Sequence, residues 1–418
     1  MKPYPKYKDS GVEWIGEVPE GWEKSKIKFC TEFINGYAFK SDDYVNNKGI
    51  PLIRIGDIKP EIDFNEAQKV PEEYAAIFKT FAVKKNDILV ALTGATIGKS
   101  SVYKSTRPAL LNQRVAILRP KGETHNNFLK FFINSDIFKK LIEYECVGGA
   151  QENIGKKEIG SCVLYLPKLL DQVQTSLFLD HKTAQIDDLI SKKQKLIELL
   201  KEERVAIINQ AVTKGLNPDA PMKDSGIKWL GDVPEHWEIK RLKFVSNFKS
   251  GNGITADLIK NDGEYAVYGG NGLRGYASSY THEGAYVLIG RQGALCGNIN
   301  YADGKFWASE HAVVATLVSD YNLFWFGELL RAMNLNQYSQ SAAQPGLSVD
   351  HIKNFFIPIP SPNEQDVIAV YLDHKTTKID QTISKIEKQI DLLQEYRTAI
   401  ISNVVTGKID VRDGGSNG

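Results

Sequence analysis

A long helical pattern that occurs twice constrains the fold of this chain more than any other feature. The first copy runs from Asp180 to Gly215 and the second from Asp373 to Lys408, and they align without a gap at an offset of 193 residues. Neither copy contains proline, and Gly215 and Gly407 are suited to end the helices. About 33 helical residues span ~50 Å, which is too long for a helix of an ordinary globular domain.

Apolar residues recur in both copies at the spacing of a coiled coil. The predicted contact residues are Ile186, Ile190, Ile197, Leu200 and Ile207 in the first copy and Ile379, Ile383, Ile386, Ile390, Leu393, Ile400 and Val404 in the second. A narrow apolar stripe needs a partner, and the other copy offers a matching one. We therefore expect the two helices to pack together; the alternative is two separate surface helices.

A second repeat precedes each helix. Residues Lys8–Phe29 return as Lys223–Phe244 at an offset of 215, with four of the six tryptophans in register: Trp14, Trp22, Trp229 and Trp237. We expect these tryptophans to be packing anchors. The order signature, insert, helix therefore occurs twice, which indicates a tandem duplication with pseudo-twofold symmetry. The predicted boundaries are 1–29 (signature), 30–165 (first insert), 166–215 (helix), 216–244 (linker and signature), 245–358 (second insert), 359–412 (helix) and 413–418 (disordered tail).

The inserts differ from the helices because they are rich in glycine, asparagine and aromatic residues and contain short apolar runs. Strands are predicted at Gly49–Ile58, Asp87–Gly94, Arg114–Pro120, Ala285–Gly290 and His311–Val318, and helices at Phe128–Ile142 and Leu323–Leu335. The predicted fold class is α+β, with two mixed α/β domains separated by two long helices. The first helix is preceded by PKLLDQVQ and the second by PSPNEQDV, which predicts that the two helices begin differently.

Bulk composition limits the classes of protein and site. The 418 residues suffice for two or three domains. Four scattered cysteines without a CxxC pair argue against structural zinc or a disulfide framework and suit a reducing cytoplasm. The polar N-terminus is not a signal peptide, and no apolar run approaches the ~20 residues of a membrane span. We expect a cytoplasmic protein with no metal site and no membrane partner.

No catalytic constellation is present in the sequence. The segment TGATIGKS, Thr93–Ser100, resembles a phosphate-binding loop, but only three residues separate Gly94 from Gly98, where that loop requires four. The second insert has GALCGN at the corresponding place, without the lysine. The seven histidines form no HExxH motif, and we expect His181 and His374 to cap the two helices. A nucleotide-hydrolysing enzyme is therefore disfavoured as an alternative.

A binding pattern remains in the inserts. In the second insert, YGGNGLRGY combines glycines that let a ligand approach the backbone with side chains suited to base edges. The candidate DNA-binding residues are Arg54, Thr93, Thr96, Lys99, Asn112, Gln113 and Arg114 in the first insert and Tyr268, Asn271, Arg274, Tyr276, Arg291 and Gln292 in the second. The alternative is a glycine-rich turn with ordinary surface polar residues. A third possibility is a scaffold whose inserts bind proteins or glycans.

The balance of basic and acidic residues in each insert limits how strongly the insert could bind DNA on its own. Residues 30–165 hold 19 lysines and arginines against 16 acidic residues, whereas residues 245–358 hold 7 against 9. Phosphate neutralisation dominates affinity for DNA, so the second insert cannot hold DNA by this means alone. If it reads DNA, partner subunits must supply much of the positive surface.

The repeated motifs resemble those of the specificity subunits of type I restriction–modification systems. They are W-x-G-x-V-P-E-x-W-E before each insert, F/Y-L-D-H-K-T-x-x-I-D within each helix segment, SPNEQDVIAVYLD and QAVTKG. YGGNGLRGY with IGRQGALCG resembles one type of target recognition domain. The resemblance covers nearly the whole chain.

The resemblance implies a non-catalytic subunit in which each insert reads one half of a bipartite double-stranded DNA site. The helices would form an antiparallel coiled coil that acts as a spacer and docks two methyltransferase subunits. Cofactors would lie on the partners: S-adenosylmethionine on the methyltransferases, and ATP and Mg²⁺ on a motor–nuclease (restriction) subunit. An orphan methyltransferase system without a nuclease would use an indistinguishable subunit.

Overall fold

The structure is a computed structural model, and it describes residues 2–46, 48–59, 62–146, 153–293, 296–338 and 346–412. The expected disordered tail, 413–418, and part of the GALCGN motif lie outside these residues. The chain divides into two compact units, Met1–Lys192 with Lys388–Gly418, and Lys193–Glu387. Within the part of the chain that is described, no helix is long and apolar enough to cross a membrane.

The first half of the chain contains twelve described strands and six described helices. The strands are β1 (Tyr7–Asp9), β2 (Glu17–Pro19), β3 (Glu23–Lys26), β4 (Thr31–Asn35), β5 (Ile50–Ile53), β6 (Lys69–Val70), β7 (Ala82–Val83), β8 (Ile88–Ala91), β9 (Ser100–Val102), β10 (Ala109–Leu111), β11 (Val115–Pro120) and β12 (Val163–Leu166). The helices are α1 (Ile27–Cys30), α2 (Tyr74–Ile77), α3 (Asn126–Ile133), α4 (Asp136–Cys146), α5 (Lys156–Ser161) and α6 (Leu169–Lys214).

The second half repeats the order of the strands in its described residues but has three described α-helices rather than six. Its strands are β13 (Met222–Asp224), β14 (Asp232–Pro234), β15 (Glu238–Arg241), β16 (Ser246–Ser250), β17 (Tyr265–Gly269), β18 (Gly272–Ala277), β19 (His282–Glu283), β20 (Tyr286–Gly290), β21 (Ile299–Ala302), β22 (Lys305–Ala308), β23 (Ala312–Leu317) and β24 (Phe356–Ile359). Its helices are α7 (Leu323–Ala332), α8 (Val349–Ile352) and α9 (Pro362–Val405).

The first insert is built on two four-stranded sheets. One has the order β4-β11-β8-β9 with antiparallel neighbours, and the other has the order β6-β5-β10-β7 with β5 parallel to β10. Side chains of β8 alternate between two faces. Ile88 and Val90 pack in the cluster that includes α3 and α4, whereas Leu89 and Ala91 pack in the cluster shared with β10. Burial on both faces explains why this strand is a continuous apolar run rather than an alternating pattern.

The second insert has the same topology although its sequence differs. Its sheets have the orders β16-β23-β20-β21 and β18-β17-β22-β19, and β17 is parallel to β22. Val287 and Ile289 of β20 pack in the cluster that contains α7, while Leu288 faces Phe306 in the opposite cluster. The predicted α+β class and two mixed domains are therefore confirmed, and both inserts have one strand arrangement.

The two long helices pack side by side in the first unit. One cluster combines Leu179 and Ile186 of α6 with Ile400, Ile401 and Val404 of α9. Beside it, Arg397 Nε donates to the carboxylate of Asp187 at 2.8 Å. Leu393 and Ile190 pack against the same cluster. Residues later in α6 therefore lie beside residues earlier in α9. The arrangement is antiparallel.

The same arrangement recurs in the second unit. Ile208, Ala211 and Val212 of α6 cluster with Ile368, Ala369 and Leu372 of α9. Arg204 Nε donates to Asp380 at 3.0 Å, at positions that the duplication relates to Arg397 and Asp187. Of the predicted contact residues, Ile186, Ile197, Ile379, Ile383, Ile386, Ile390, Ile400 and Val404 are buried, and Ile190, Leu200, Ile207 and Leu393 are half-buried.

Both helices start within three residues of the predicted boundaries at 166 and 359, and earlier than the repeated pattern that begins at Asp180 and Asp373. They begin at Leu169 and Pro362 and have 46 and 44 residues. His181 and His374 therefore lie inside the helices, exposed to solvent, and the predicted capping role was wrong. The sequence misled because apolar periodicity becomes regular only beyond the first turns, which pack against the inserts instead.

The two helices also begin alike, contrary to the expectation from their different preceding sequences. Gln172 donates from Nε2 to the carbonyl of Pro167 at 2.9 Å and accepts from the amide of His125 at 2.8 Å. Gln365 donates in the same way to Pro360 at 3.0 Å and accepts from Asn322 at 3.0 Å. A shared glutamine therefore ties each helix start to its insert.

The ends of the helices fit against the repeated signatures. In the first unit, Gly407 follows α9 with φ of +73°, and a Cβ there would lie 2.3 Å from Pro19 and 3.3 Å from Trp22. In the second unit, Gly215 follows α6 with φ of +75°, and a Cβ would lie 3.2 Å from Trp237. Glycine is needed for both backbone conformation and space. The signature tryptophans have the packing role expected of them.

Two further elements differ from the predicted spans. The helix expected at Phe128–Ile142 is two helices, α3 and α4, because Ser135 interrupts the run by donating to the carbonyl of Phe132 at 2.6 Å and accepting from the amide of Phe138 at 3.3 Å. The strand expected at Gly49–Ile58 ends at Ile53, where a 3-10 turn, Ile55–Asp57, begins.

Candidate nucleic-acid interface

A cleft of about 700 Å³ lies in the first insert where several strands end. Three of the predicted DNA-binding residues, Thr93, Gln113 and Arg114, line it. The remaining lining residues are Asn35, Gly36, Leu92, Gly94, Asn153, Ile154 and Gly155. Gln113 and Arg114 are exposed at the loop between β10 and β11, and Thr93 follows β8. The cleft therefore combines amide, hydroxyl and guanidinium groups, which suit the edges of bases and phosphate oxygens.

The other predicted residues of the first insert do not line this cleft. Asn112 is half-buried, and its Oδ1 accepts from the amide of Arg114 at 3.4 Å, so it shapes the loop that carries Gln113 and Arg114. Arg54 turns toward Asp57, with Nε 3.8 Å from the carboxylate. Thr96 donates to the carbonyl of Thr93 at 3.3 Å, and Lys99 is exposed.

The segment that resembles a phosphate-binding loop has a different structure. β8 is followed by a single 3-10 turn, Gly94–Thr96, and then by β9, so no helix N-terminus follows the glycines. In the second insert, Cys296 Sγ donates to the carbonyl of Arg291 at 3.3 Å, and burial raises the pKa of its thiol. The turn therefore connects two strands, and it lacks the helix that would bind a nucleotide phosphate.

In the second insert, polar residues gather at the corresponding strand ends. The turn between β17 and β18 lies against the segments after β20 and before β23, since a Cβ at Gly270 would be 3.2 Å from the carbonyl of His311 and 3.4 Å from that of Gln292. Asn298 donates from Nδ2 to Oδ1 of Asn271 at 3.2 Å. The structure thus brings together Asn271, Gln292, Asn298 and His311. Asn298 and His311 were not among the predicted residues.

The remaining predicted residues of the second insert have varied surroundings. Arg274 is exposed on β18, with its side chain against Gly269. Tyr268 is half-buried, with its ring centroid 5.7 Å from that of Phe306. Tyr276 is half-buried beside Lys260, and Arg291 is half-buried, with its amide donating to the carbonyl of His311 at 2.9 Å.

Matching hydrogen bonds align the two inserts. The amide of Leu92 bonds to the carbonyl of Arg114, and the amide of Arg291 bonds to that of His311, so Thr93 corresponds to Gln292 and Arg114 to His311. The structure also places five residues at these strand ends that were not among the predicted ones: Asn35, Asn153, Asn298, Glu310 and His311. The same hydrogen bonds pair Gln113-Arg114, which precede β11, with Glu310-His311, which precede β23. Among the described residues, no group of three or more metal-ligating side chains is present.

The family described as type I restriction modification DNA specificity domain matches residues 19–199 and 234–392. The chain belongs to this family. Each matched segment contains one insert, so this specificity subunit has two target recognition domains. Members of this class are non-catalytic subunits.

Individual relatives agree with this assignment. The chain is 29% identical over 399 residues to the EcoprrI specificity subunit of Escherichia coli, covering 91% of this chain and 94% of that protein. It is 24% identical over 441 residues to the EcoBI specificity subunit of Escherichia coli, covering 96% and 89%.

Solved structures share the fold of this specificity subunit. A chain from a type I R-M system superposes with a TM-score of 0.71 at 15% identity, covering 94% of this chain and 99% of that one. The HsdS subunit from Thermoanaerobacter tengcongensis superposes with a TM-score of 0.55 at 14% identity, covering 96% and 100%.

Proposed function

We propose that this chain gives sequence specificity to a DNA methyltransferase and restriction complex, with each insert reading one half of a bipartite target. One observation carries the proposal: the inserts have the same strand topology but different polar side chains at matching strand ends. Thr93 and Arg114 in the first insert correspond to Gln292 and His311 in the second. A common scaffold with different contact residues suits two half-sites of different sequence.

We propose the contact surface as the polar residues around these strand ends. In the first insert, Thr93, Gln113 and Arg114 face the cleft, and Arg54, Thr96, Lys99 and Asn112 lie on adjoining turns. In the second, Asn271 and Gln292 are the central exposed amides, and Arg274, Arg291, Tyr268 and Tyr276 flank them. Amides and guanidinium groups form the bidentate base contacts of the major groove.

Exchange of one insert tests the proposal. Residues 30–165 are replaced by the first insert of another specificity subunit, and the methylated motif is determined by methylation-sensitive sequencing. The half-site read by the first insert should change while the other half-site and the methylation of DNA persist. The reciprocal exchange of residues 245–358 should change only the second half-site. A change in both half-sites, or in neither, would contradict the assignment of one half-site to each insert.

Two equivalent exposed surfaces fit two copies of a methyltransferase subunit. Phe29 in the first unit and Phe244 in the second, which the signature repeat relates, are 65% and 60% exposed. Each has a lysine Nζ near its ring centroid, Lys28 at 5.0 Å and Lys243 at 5.2 Å. Exposed aromatic side chains are typical anchors of protein interfaces. Because the surface occurs once in each unit, it fits two identical partners.

A second repeated pair supports this docking proposal. Leu177 of α6 in the first unit and Val370 of α9 in the second, which the helix repeat relates, are 65% and 72% exposed. The support lies in the repetition, because a partner that binds once per unit would meet the same exposed apolar position in each unit. The cofactors belong to the partners in this proposal: S-adenosylmethionine on the methyltransferases, and ATP and Mg²⁺ on a motor–nuclease subunit. In this proposal, the specificity subunit and its partners assemble on double-stranded DNA in the cytoplasm.

A further inference from the structure

Three side chains of the second insert form one hydrogen-bonded group at the proposed DNA surface. His311 Nδ1 lies 3.2 Å from Oε1 of Gln292, and its Nε2 lies 3.2 Å from Oε1 of Glu310. The amide oxygen of Gln292 and the carboxylate of Glu310 can only accept, so the doubly protonated ring donates from Nδ1 to Gln292 and from Nε2 to Glu310. The group therefore fixes which end of the Gln292 amide faces the ring.

We propose that Gln292 reads an adenine in the half-site of the second insert, and that His311 and Glu310 are positioning residues that hold its amide. The inference rests on the proposed function, since it names the base that one side chain of the same surface recognises. Neither His311 nor Glu310 contacts the base in this proposal. They act through the orientation of Gln292.

The chemistry of the held amide selects adenine. Oε1 of Gln292 keeps one lone pair after accepting from His311, and its Nε2 makes no hydrogen bond to protein among the described residues. Adenine presents an N6 amino donor beside an N7 acceptor in the major groove. The amide can accept from N6 and donate to N7 together. Guanine offers two acceptors at this edge, so the fixed oxygen would face an acceptor without a proton between them.

The surroundings keep Gln292 in place. Its backbone forms an isolated antiparallel bridge with Gly346, and the glycine at 270 packs close to its carbonyl. Gln292 is exposed, and the side chains of His311 and Glu310 beside it are 43% and 41% exposed. The hydrogen bond from His311 lowers the rotamer freedom of the Gln292 side chain, which binding would otherwise remove.

The first insert lacks this arrangement. The residues that correspond to Gln292 and His311 are Thr93 and Arg114. Arg114 is exposed, and its guanidinium has no hydrogen-bond or ion-pair partner among the described residues. A free guanidinium matches the two acceptors of guanine rather than the donor and acceptor of adenine. The two inserts should therefore prefer different bases at this matching position.

The test uses the full chain assembled with its methyltransferase subunits. The complex selects from a DNA library in which both half-sites are randomised, and base preferences are read by sequencing. The native chain should require adenine at one position of the second half-site. Gln292→Glu should lower that preference about tenfold or more and raise the preference for cytosine there, because a carboxylate accepts from the N4 amino group.

A second variant tests the positioning role. His311→Phe keeps a ring but removes the donor, and it should lower the adenine preference at the same position by roughly threefold to tenfold, while every other position is unchanged. A general loss of folding would instead weaken both half-sites. Asn261→Asp makes the same amide-to-carboxylate change at an exposed residue of the same insert; it is the matched control and should leave all preferences unchanged.

The outcomes separate this inference from the proposed function. If the native complex selects a bipartite site whose second half has no required adenine, or if Gln292→Glu changes no base preference, the inference is wrong and the proposed function stands. If the native complex selects no bipartite site, the proposed function is wrong and the inference falls with it. A change in base preference that is confined to one position of the second half-site in Gln292→Glu supports both the inference and the proposed function.

Discussion

At the scale of single residues, the first insert depends on one buried carboxylate. Asp87 is 3% exposed, and Arg119 donates to both of its oxygens, at 2.8 Å from Nε and 2.7 Å from the second guanidinium nitrogen. The hydrogen bond to Asp87 raises the pKa of Arg119. The amide of Lys84 also donates to Asp87 at 2.7 Å. The carboxylate is thus buried only because it is fully partnered.

Removal of the Arg119 side chain should therefore lower the stability of the fold. Arg119→Ala leaves the Asp87 carboxylate buried without its main partner and should lower the free energy of unfolding by about 3 kcal/mol, measured by urea denaturation. Lys85→Ala, at an exposed neighbouring position, is the control and should change it by less than about 0.5 kcal/mol. Equal effects of the two variants would contradict the structural role of the pair.

Glu364 makes the stability of the second unit depend on pH. Burial raises the pKa of Glu364, but hydrogen bonds from His236, Ser361 and Trp237 outweigh it and lower the pKa from 4.5 to about 2. A lowered pKa in the folded state favours the ionised form. The contribution to stability is therefore complete above pH 4.5 and is lost as the pH falls from 4.5 toward 2.

Glu364→Gln removes this titration. The melting temperature of the native chain should fall between about pH 6 and about pH 3, and the fall should be smaller in the variant. Thermal unfolding at the two pH values measures the difference. Glu203→Gln, an exposed residue of α6, should retain the full fall. An identical pH dependence of the native chain and Glu364→Gln would show that the hydrogen bonds to Glu364 do not contribute.

At the scale of elements, α6 and α9 owe their pairing to apolar rows with a repeated polar interruption. Arg204 and Arg397 occupy corresponding positions in these rows, and each reaches an aspartate on the other helix, Asp380 and Asp187 respectively. A shift of one helix along the other would separate both pairs. Polar residues inside an apolar row commonly specify register in this way.

The apolar contacts should supply most of the pairing energy. Ile400 is 2% exposed in the cluster with Ile186, whereas Leu392 on the same helix is 62% exposed. Ile400→Ala should lower the free energy of unfolding by roughly 2–5 kcal/mol. Leu392→Ala should change it by no more than about 0.5 kcal/mol. Chemical denaturation measures both, and comparable losses would be inconsistent with a buried helix interface at Ile400.

At the scale of the whole molecule, the duplication predicts a stoichiometry. If Phe29 and Phe244 each anchor one methyltransferase subunit, Phe29→Ala or Phe244→Ala should yield complexes with one copy in place of two, because a truncated aromatic anchor often costs 2 kcal/mol or more, a roughly 30-fold loss of affinity. Native mass spectrometry measures the copy number near the dissociation constant.

The double variant of Phe29 and Phe244 should carry no partner under the same conditions. Leu258→Ala removes an apolar side chain that is 55% exposed but has no repeated counterpart, and it should retain two copies. Two bound copies in the double variant would remove these phenylalanines from the docking surface.

The sequence predicted the two long helices, their mutual packing and the duplication because these depend on local periodicity and on exact offsets of 193 and 215 residues. The predicted boundaries at 166 and 359 lay close to the helix starts, but the repeated pattern alone placed the starts near Asp180 and Asp373. The first turns of α6 and α9 each contact their own insert, so they do not follow the coiled-coil rows. The histidines at 181 and 374 were misplaced for this reason.

The proposed contact surface was only partly predictable. Thr93, Gln113, Arg114, Asn271 and Gln292 were predicted from residue type and position, and the structure places them at matching strand ends. His311 and Glu310 were missed because the loops of the two inserts differ in length, so the offset between matching residues drifts from one strand to the next. Only the pairing of strands restores the correspondence.

The sequence by itself determined that this protein is a duplication with two long helices, because repeats and periodicity are properties of the chain order. The tertiary structure alone decided that the inserts share one strand topology and that Gln292 meets His311, because sheet order and strand-end contacts join residues far apart in the chain. Hydrogen bonds between strands, and not residue spacing, bring those side chains to one surface.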